Sequence, residues 1–244
     1  MTDANAHNKY SSQTDAAAET APANELATGP GWTGAVSAPT RFVLLRHGQT
    51  PMSIRRQYSG STSDPELTEL GHNQASAAAQ WLASDACPWR IDGIVASPQV
   101  RAQQTADHVA RALGTRVTTD TDLRETNFGA WEGMTFSEAQ KRDPQLHMDW
   151  LADPAVAPPE GEAFAVVDKR VGNARDRITN EFGESTILVV SHVTPIKALL
   201  RQGLDAGFSL YTRLHLDLAS ISVAEFYADG PTAVTLVNDT AHLR

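Results

Sequence analysis

From residue 41 onward the chain alternates short apolar runs with longer amphipathic stretches. "RFVLLR" (41–46) is an apolar run of strand length. "LTELGHNQASAAAQWLA" (67–83) follows with apolar residues at helical spacing and many alanines, and Thr68 is placed to cap it. "IDGIVAS" (91–97) predicts a second buried strand broken at Pro98, and "QVRAQQTADHVARALG" (99–114) an amphipathic helix closed by Gly114. "TRVTTD" (115–120) can form a third strand. A long helix is expected over 161–183, with Val166, Val167, Arg170, Val171, Ala174 and Ile178 at roughly helical spacing. "STILVVSH" (185–192) is the strongest buried-strand signal, and "TPIKALLRQGL" resumes as helix with Pro195 in its first turn. "LDLASISVAEFY" and "TAVTLVND", separated by "ADGP", predict a β-hairpin at one edge of the sheet.

Strands alternating with helices and ending in a hairpin predict an α/β fold: a three-layer α/β/α sandwich with a mostly parallel sheet and an antiparallel edge. No internal repeat is present. Residues 1–39 differ in composition, being rich in Ala, Thr, Ser, Asn, Gly and Pro, and read as a disordered tail or linker ahead of a single domain over 40–244. The 244 residues, 41% of them hydrophobic, suit one sizeable core.

Charge and cysteine content narrow the partners. A formal charge of -9 argues against a nucleic-acid surface, because such affinity rests on Lys and Arg neutralising phosphates, so any anion site must be local. Cys87 is the single cysteine, so no intramolecular disulfide forms, and its expected role is burial. No apolar run reaches the roughly 18 residues of a membrane span, and the N-terminus lacks the pattern of a secretory signal. A cytoplasmic protein without a membrane partner is expected.

Ligands of open α/β sheets gather outside the carboxyl ends of the strands. Arg46 and His47 stand at that end of the first strand, and Ser191 and His192 at that end of "TILVVS". Arg101 falls in the first turn of the helix after "IVAS", and Glu125 lies in the Gly-bearing segment "LRETNFGAWEG". Two guanidinium groups can grip phosphate oxygens and offset their charge, and a neutral imidazole can attack phosphorus.

"LLRHGQT", "SPQVRAQQTA", "LRETNFGAWEG" and "VVSHVTPIK" resemble, in the same order, the four signature segments of the histidine phosphatase (phosphoglycerate-mutase-like) superfamily. The resemblance spans residues 41 to about 240. "VAPPEGEAF", "LHLDLASISVAEFY" and "VNDTAHLR" are further similar to the acid phosphatase half of actinobacterial bifunctional ribonuclease H/acid phosphatase proteins, which is itself similar to α-ribazole phosphatases. The resemblance implies that His47 is a nucleophile that becomes phosphorylated and that Arg46, Arg101 and His192 bind the phosphoryl group. Glu125 would protonate the leaving oxygen and then activate water. No metal or other cofactor is implied, and a slightly acidic optimum is expected. The implied partners are a small phosphomonoester substrate, with α-ribazole 5'-phosphate the first to consider, and a ribonuclease H domain tethered in a longer parent protein.

Two positions depart from the family pattern. Ser53 stands where many members carry an asparagine that binds phosphate, and Val193 where glycine is common. "RRQYSG" (55–60) occupies the family's substrate-facing segment, with Ser59 and Gly60 as substrate-binding candidates and Arg55 and Arg56 as weaker ones. His72, His108, His147, His215 and His242 lack metal-ligand spacing. Trp81, Trp131 and Trp150 are expected as core or pocket-wall aromatics. Two other functions stay open: a phosphoglycerate-type mutase, which uses the same phosphohistidine, and a catalytically weak phospholigand-binding module.

Overall fold

The computed structural model describes residues 33–244. Its chain order is β1 (Pro39–Arg46), α1 (Pro51–Ile54), α2 (Glu69–Leu82), β2 (Gly93–Ala96), α3 (Val100–Leu113), β3 (Val117–Thr119), α4 (Phe136–Arg142), α5 (Pro144–Ala152), α6 (Phe164–Phe182), β4 (Thr186–Ser191), α7 (Val193–Gly203), α8 (Leu210–Arg213), β5 (Ile221–Tyr227) and β6 (Thr232–Asp239). One six-stranded sheet runs β3-β2-β4-β1-β5-β6. The first four strands pair in parallel, whereas β1–β5 and β5–β6 are antiparallel. The expected layers and edge hairpin are thus present.

Side chains alternate across a strand, and each face of this sheet has its own helices. Phe42 and Leu44 of β1, with Ile187 and Val189 of β4, pack against Val167, Val171 and Ala174 of α6 and Ile196, Leu199 and Leu200 of α7. Val43 and Leu45, with Leu188 and Val190, pack against Ala78 and Leu82 of α2 and Ala102, Ala106 and Val109 of α3. Both faces of the central strands are apolar because both are covered, the usual condition of parallel strands. Thr68 caps α2 by accepting from the Gly71 N–H, and Gly114 closes α3 at φ 65°.

Several boundaries shift from expectation. The long helix begins at Phe164 because residues before it form a turn, in which the Gly161 N–H donates to the Pro158 carbonyl. Val166 lies off its apolar face and is exposed. Most of the proposed tail, residues 1–32, lies outside the described residues. Its last part packs on the domain: Ala35 is buried, Val36 N–H and Ser37 Oγ donate to the Asp229 carboxylate, and β1 already starts at Pro39. α4 and α5 were not anticipated, although Thr135 and Glu138 form a reciprocal capping box and Pro144 opens α5. Cys87 is only partly buried, with Sγ 3.3 Å from the Trp89 carbonyl.

Candidate active site

The parallel register sets the floor of the site. Arg46 of β1 is paired with Ser191 of β4, and the His47 N–H donates to the Ser191 carbonyl, so Arg46–His47 and Ser191–His192 leave the sheet side by side. The His47 and His192 ring centroids are 5.1 Å apart. After His47 the chain must pass the N-terminus of α2, where a Cβ on Gly48 would overlap the Gly71 carbonyl and one on Gly71 the Gln49 carbonyl. Only two glycines allow that approach.

His47 Nδ1 lies 2.8 Å from the Gly48 carbonyl oxygen. A carbonyl only accepts, so Nδ1 carries the hydrogen and Nε2 holds the lone pair. Burial, and after it the Arg101 and Arg46 charges, hold the His47 imidazole well below its usual pKa. The ring is therefore neutral near pH 7 and nucleophilic at Nε2. Burial and the same charges also depress His192. Its Nε2 lies 2.7 Å from Ser97 Oγ, which also accepts the Gln99 N–H.

Both arginines are held by backbone carbonyls. Arg46 Nη1 donates to Leu216, and burial brings its pKa down to about 10. Arg101 is fully buried and donates to the carbonyls of Ser59, Gly60 and Ser63. Among the described residues, Arg46 Nε, Arg101 Nε and His192 Nδ1 are buried without a hydrogen-bond partner. A buried donor left unpaired costs about 1–3 kcal/mol, so the two guanidinium donors beside a neutral imidazole favour an acceptor-rich anion.

Glu125 approaches from the loop after β3. Its Oε1 accepts the Thr126 N–H at 2.8 Å and its Oε2 the Thr194 N–H, at 3.4 Å, from the first turn of α7. Arg124 is not its partner; that guanidinium pairs with Glu162 and Asp122. Arg46, His47, Ser53, Ser59 and Glu125 line a pocket of about 1110 Å³ with Phe128, Trp150, Phe164 and Tyr211 on its walls. Arg101 and His192 do not line it; they stand behind His47 at zero exposure. Ser53 reaches the pocket, but its hydroxyl is committed to the α1 cap, donating to the Thr50 carbonyl and accepting the Thr50 N–H. Gly60 lies outside the lining and acts through its backbone, its N–H on Glu132 and its carbonyl on Arg101 and Gln99. Ser59 Oγ is buried and has no hydrogen-bond partner among the described residues. Arg56 lines the mouth, whereas Arg55 pairs with Gln57 and is absent from the lining.

The model of the histidine phosphatase superfamily (branch 1) matches residues 42–240. The chain belongs to this superfamily. It is 55% identical over 221 residues to a Mycobacterium tuberculosis protein named as bifunctional, covering 91% of this chain and 60% of that one, so the chain spans less than two thirds of that relative. Phosphoserine phosphatase 1 of Hydrogenobacter thermophilus is 29% identical over 204 residues, covering 83% of this chain and 94% of that one. The native structure of mycobacterial glucosyl-3-phosphoglycerate phosphatase superposes with a TM-score of 0.74 at 28% identity, covering 83% of this chain and all of that one.

Several supporting residues of this superfamily member were missed in the sequence. Gln99 accepts the Glu125 N–H at its Oε1 and donates through Nε2 to the Gly60 carbonyl, tying the acid loop to the Arg101 loop. Thr105 Oγ1 accepts the Gly48 N–H and donates to the Arg101 carbonyl. Arg170 of α6 donates to the Asp122, Arg124 and Glu125 carbonyls and to the Glu162 carboxylate. A charged residue inside the apolar stripe of that helix was the available signal. His72 Nδ1 and His108 Nε2, 36 residues apart, meet at 3.1 Å. Among the described residues no three metal-ligating side chains cluster.

Proposed function

We propose that this histidine phosphatase is a metal-independent phosphomonoester hydrolase working through a phosphohistidine at His47. The observation that carries the reading is the His47 tautomer: Nδ1–H is given to the Gly48 carbonyl, which leaves the Nε2 lone pair for phosphorus. Nε2 attacks, the phosphorus–oxygen bond to the alcohol breaks, and a protonated Glu125 gives its proton to the departing oxygen. The Glu125 carboxylate then takes a proton from water as the water oxygen attacks the phosphohistidine, which returns neutral His47 and inorganic phosphate. Arg46, Arg101 and His192 supply positive charge and N–H donors to the transferring group.

An open pocket of about 1110 Å³ supports hydrolysis over mutase transfer, because it admits the water that a mutase must exclude. The substrate is a small metabolite, α-ribazole 5'-phosphate being the first suggested by the sequence resemblance, and the reaction is that of an acid phosphatase in the cytoplasm. A tethered ribonuclease H domain in a longer parent is proposed on the same resemblance. The test is phosphate release from p-nitrophenyl phosphate and α-ribazole 5'-phosphate in EDTA. Release that survives EDTA and disappears in His47→Ala supports the reading. Release that EDTA abolishes, or that persists in His47→Ala, overturns it.

A further inference from the structure

Arg46 and His47 are gripped by a turn, residues 216–220, that leads into β5. The Leu216 carbonyl accepts from Arg46 Nη1 at 2.6 Å, the Ser220 carbonyl accepts the Arg46 N–H, and the Ala219 N–H donates to the His47 carbonyl. The Arg46 guanidinium is thus held by a loop and not by the sheet. Ala219 carries a left-handed φ of 54° without being glycine, a conformation that persists only where the surroundings impose it.

The last strand imposes it. Ile221 pairs with Asp239 and Val223 with Leu236, so β6 advances three residues where β5 advances two, and the bulge contains Asn238. Asn238 is itself left-handed, at φ 57°, which asparagine tolerates better than most residues. Its amide meets the turn twice: Oδ1 accepts the Asp217 N–H at 2.6 Å, and Nδ2 donates to the Asp217 carboxylate at 2.9 Å. Further along, His242 Nε2 donates to the Ala219 carbonyl at 2.9 Å. Asp217 follows Leu216 directly, and its charge reaches Arg46, opposing, after that of Glu125, the effect of burial on the guanidinium. Asn238 does not line the pocket, so whatever it does for the reaction passes through this turn. We infer that Asn238 is a positioning residue that fixes the turn at Asp217 and so sets the Arg46 guanidinium, held by the neighbouring Leu216 carbonyl, against the phosphoryl group. This rests on the phosphatase reading and gives the segment "VNDTAHLR" a part in it.

The test is a double-mutant cycle on orthovanadate binding, followed by titration calorimetry, with the wild type, Asn238→Gly, Arg46→Met and the double variant. Glycine keeps the left-handed backbone and removes only the amide. Arg46→Lys, which keeps the charge without the planar fork, gives the cycle a second background, and thermal melting checks that each variant is folded. Asn238→Gly should weaken orthovanadate by about three- to tenfold, the scale of one net hydrogen bond. With Arg46 already replaced by methionine, the same change should cost less than about twofold, the scatter of independent sites. Unchanged affinity in Asn238→Gly overturns the inference, and so does an equal loss with and without Arg46, the mark of general loosening. Failure of the phosphatase reading shows separately, as a wild type that releases no phosphate from p-nitrophenyl phosphate.

Discussion

Replacing Arg170 by methionine should both destabilise the domain and loosen Glu125, the proposed acid. The side chain is 7% exposed and spends all its donors on five hydrogen bonds. Three go to the carbonyls of Asp122, Arg124 and Glu125, which hold the acid loop in place. The other two go to Glu162, which keeps Arg124 and the Asn127 N–H as partners when Arg170 is gone. Methionine fills most of the volume, so the loss is mainly that of charge and donors. Removing one partner of a buried ion pair costs about 3–5 kcal/mol. At roughly 2–4 °C per kcal/mol for a domain of this size, the melting temperature should fall by about 6–20 °C. Thermal unfolding and urea titration measure the first effect. Steady-state kinetics at a temperature where the variant is folded measure the second, expected as a drop in kcat with a smaller change in KM, because Glu125 is proposed to act on the departing oxygen. Arg170→Lys, which can restore one or two of the five bonds, should recover part of both. A melting point within about 2 °C of wild type would refute the assignment of Arg170 as the clamp of the Glu125 loop.

Glu125→Gln keeps the size and one of the two acceptor oxygens but cannot give or take a proton, so kcat should fall by about 10²–10⁴. A fall of less than about threefold would remove Glu125 from proton transfer. Gly48→Ala would drive a methyl into the Gly71 carbonyl, and overpacking of this kind costs about 1–3 kcal/mol; urea titration checks it, and an unchanged midpoint would contradict the close approach. Stability should also fall with acid. His47 and His192 are depressed in the fold, so below the unfolded imidazole value of about 6.5 the unfolded chain binds more protons than the folded one. Stability from these two groups is complete above that pH and lost as pH falls towards the folded values, on the order of 1 kcal/mol for each at pH 5.5. Melting curves between pH 7.5 and 5.5 should show it, more shallowly in His192→Gln, and a flat profile would contradict two buried neutral imidazoles.

The layers of the fold were legible because covered parallel strands must be apolar on both faces, which makes "RFVLLR" and "TILVVS" stand out from any solvated segment. The rim residues were legible because a strand end fixes where the next side chains go, and Arg46–His47 and Ser191–His192 leave adjacent paired strands. Ser53 and Gly60 were harder to place. Whether a serine hydroxyl faces a ligand or its own cap depends on a single turn of α1, and Gly60 is needed where Glu132 and the Thr126 carbonyl press on its α-carbon. Gln99 and Arg170 were not found as site residues, since their effect comes through carbonyls of loops brought near only by folding.

The most direct measurement is to quench turnover of radiolabelled phosphomonoester and locate the phosphate on the protein. Acid-labile, alkali-stable label on His47, absent in His47→Ala and more persistent in Glu125→Gln, is the predicted result. Full turnover without label, or label on any other residue, would contradict a phosphohistidine at His47.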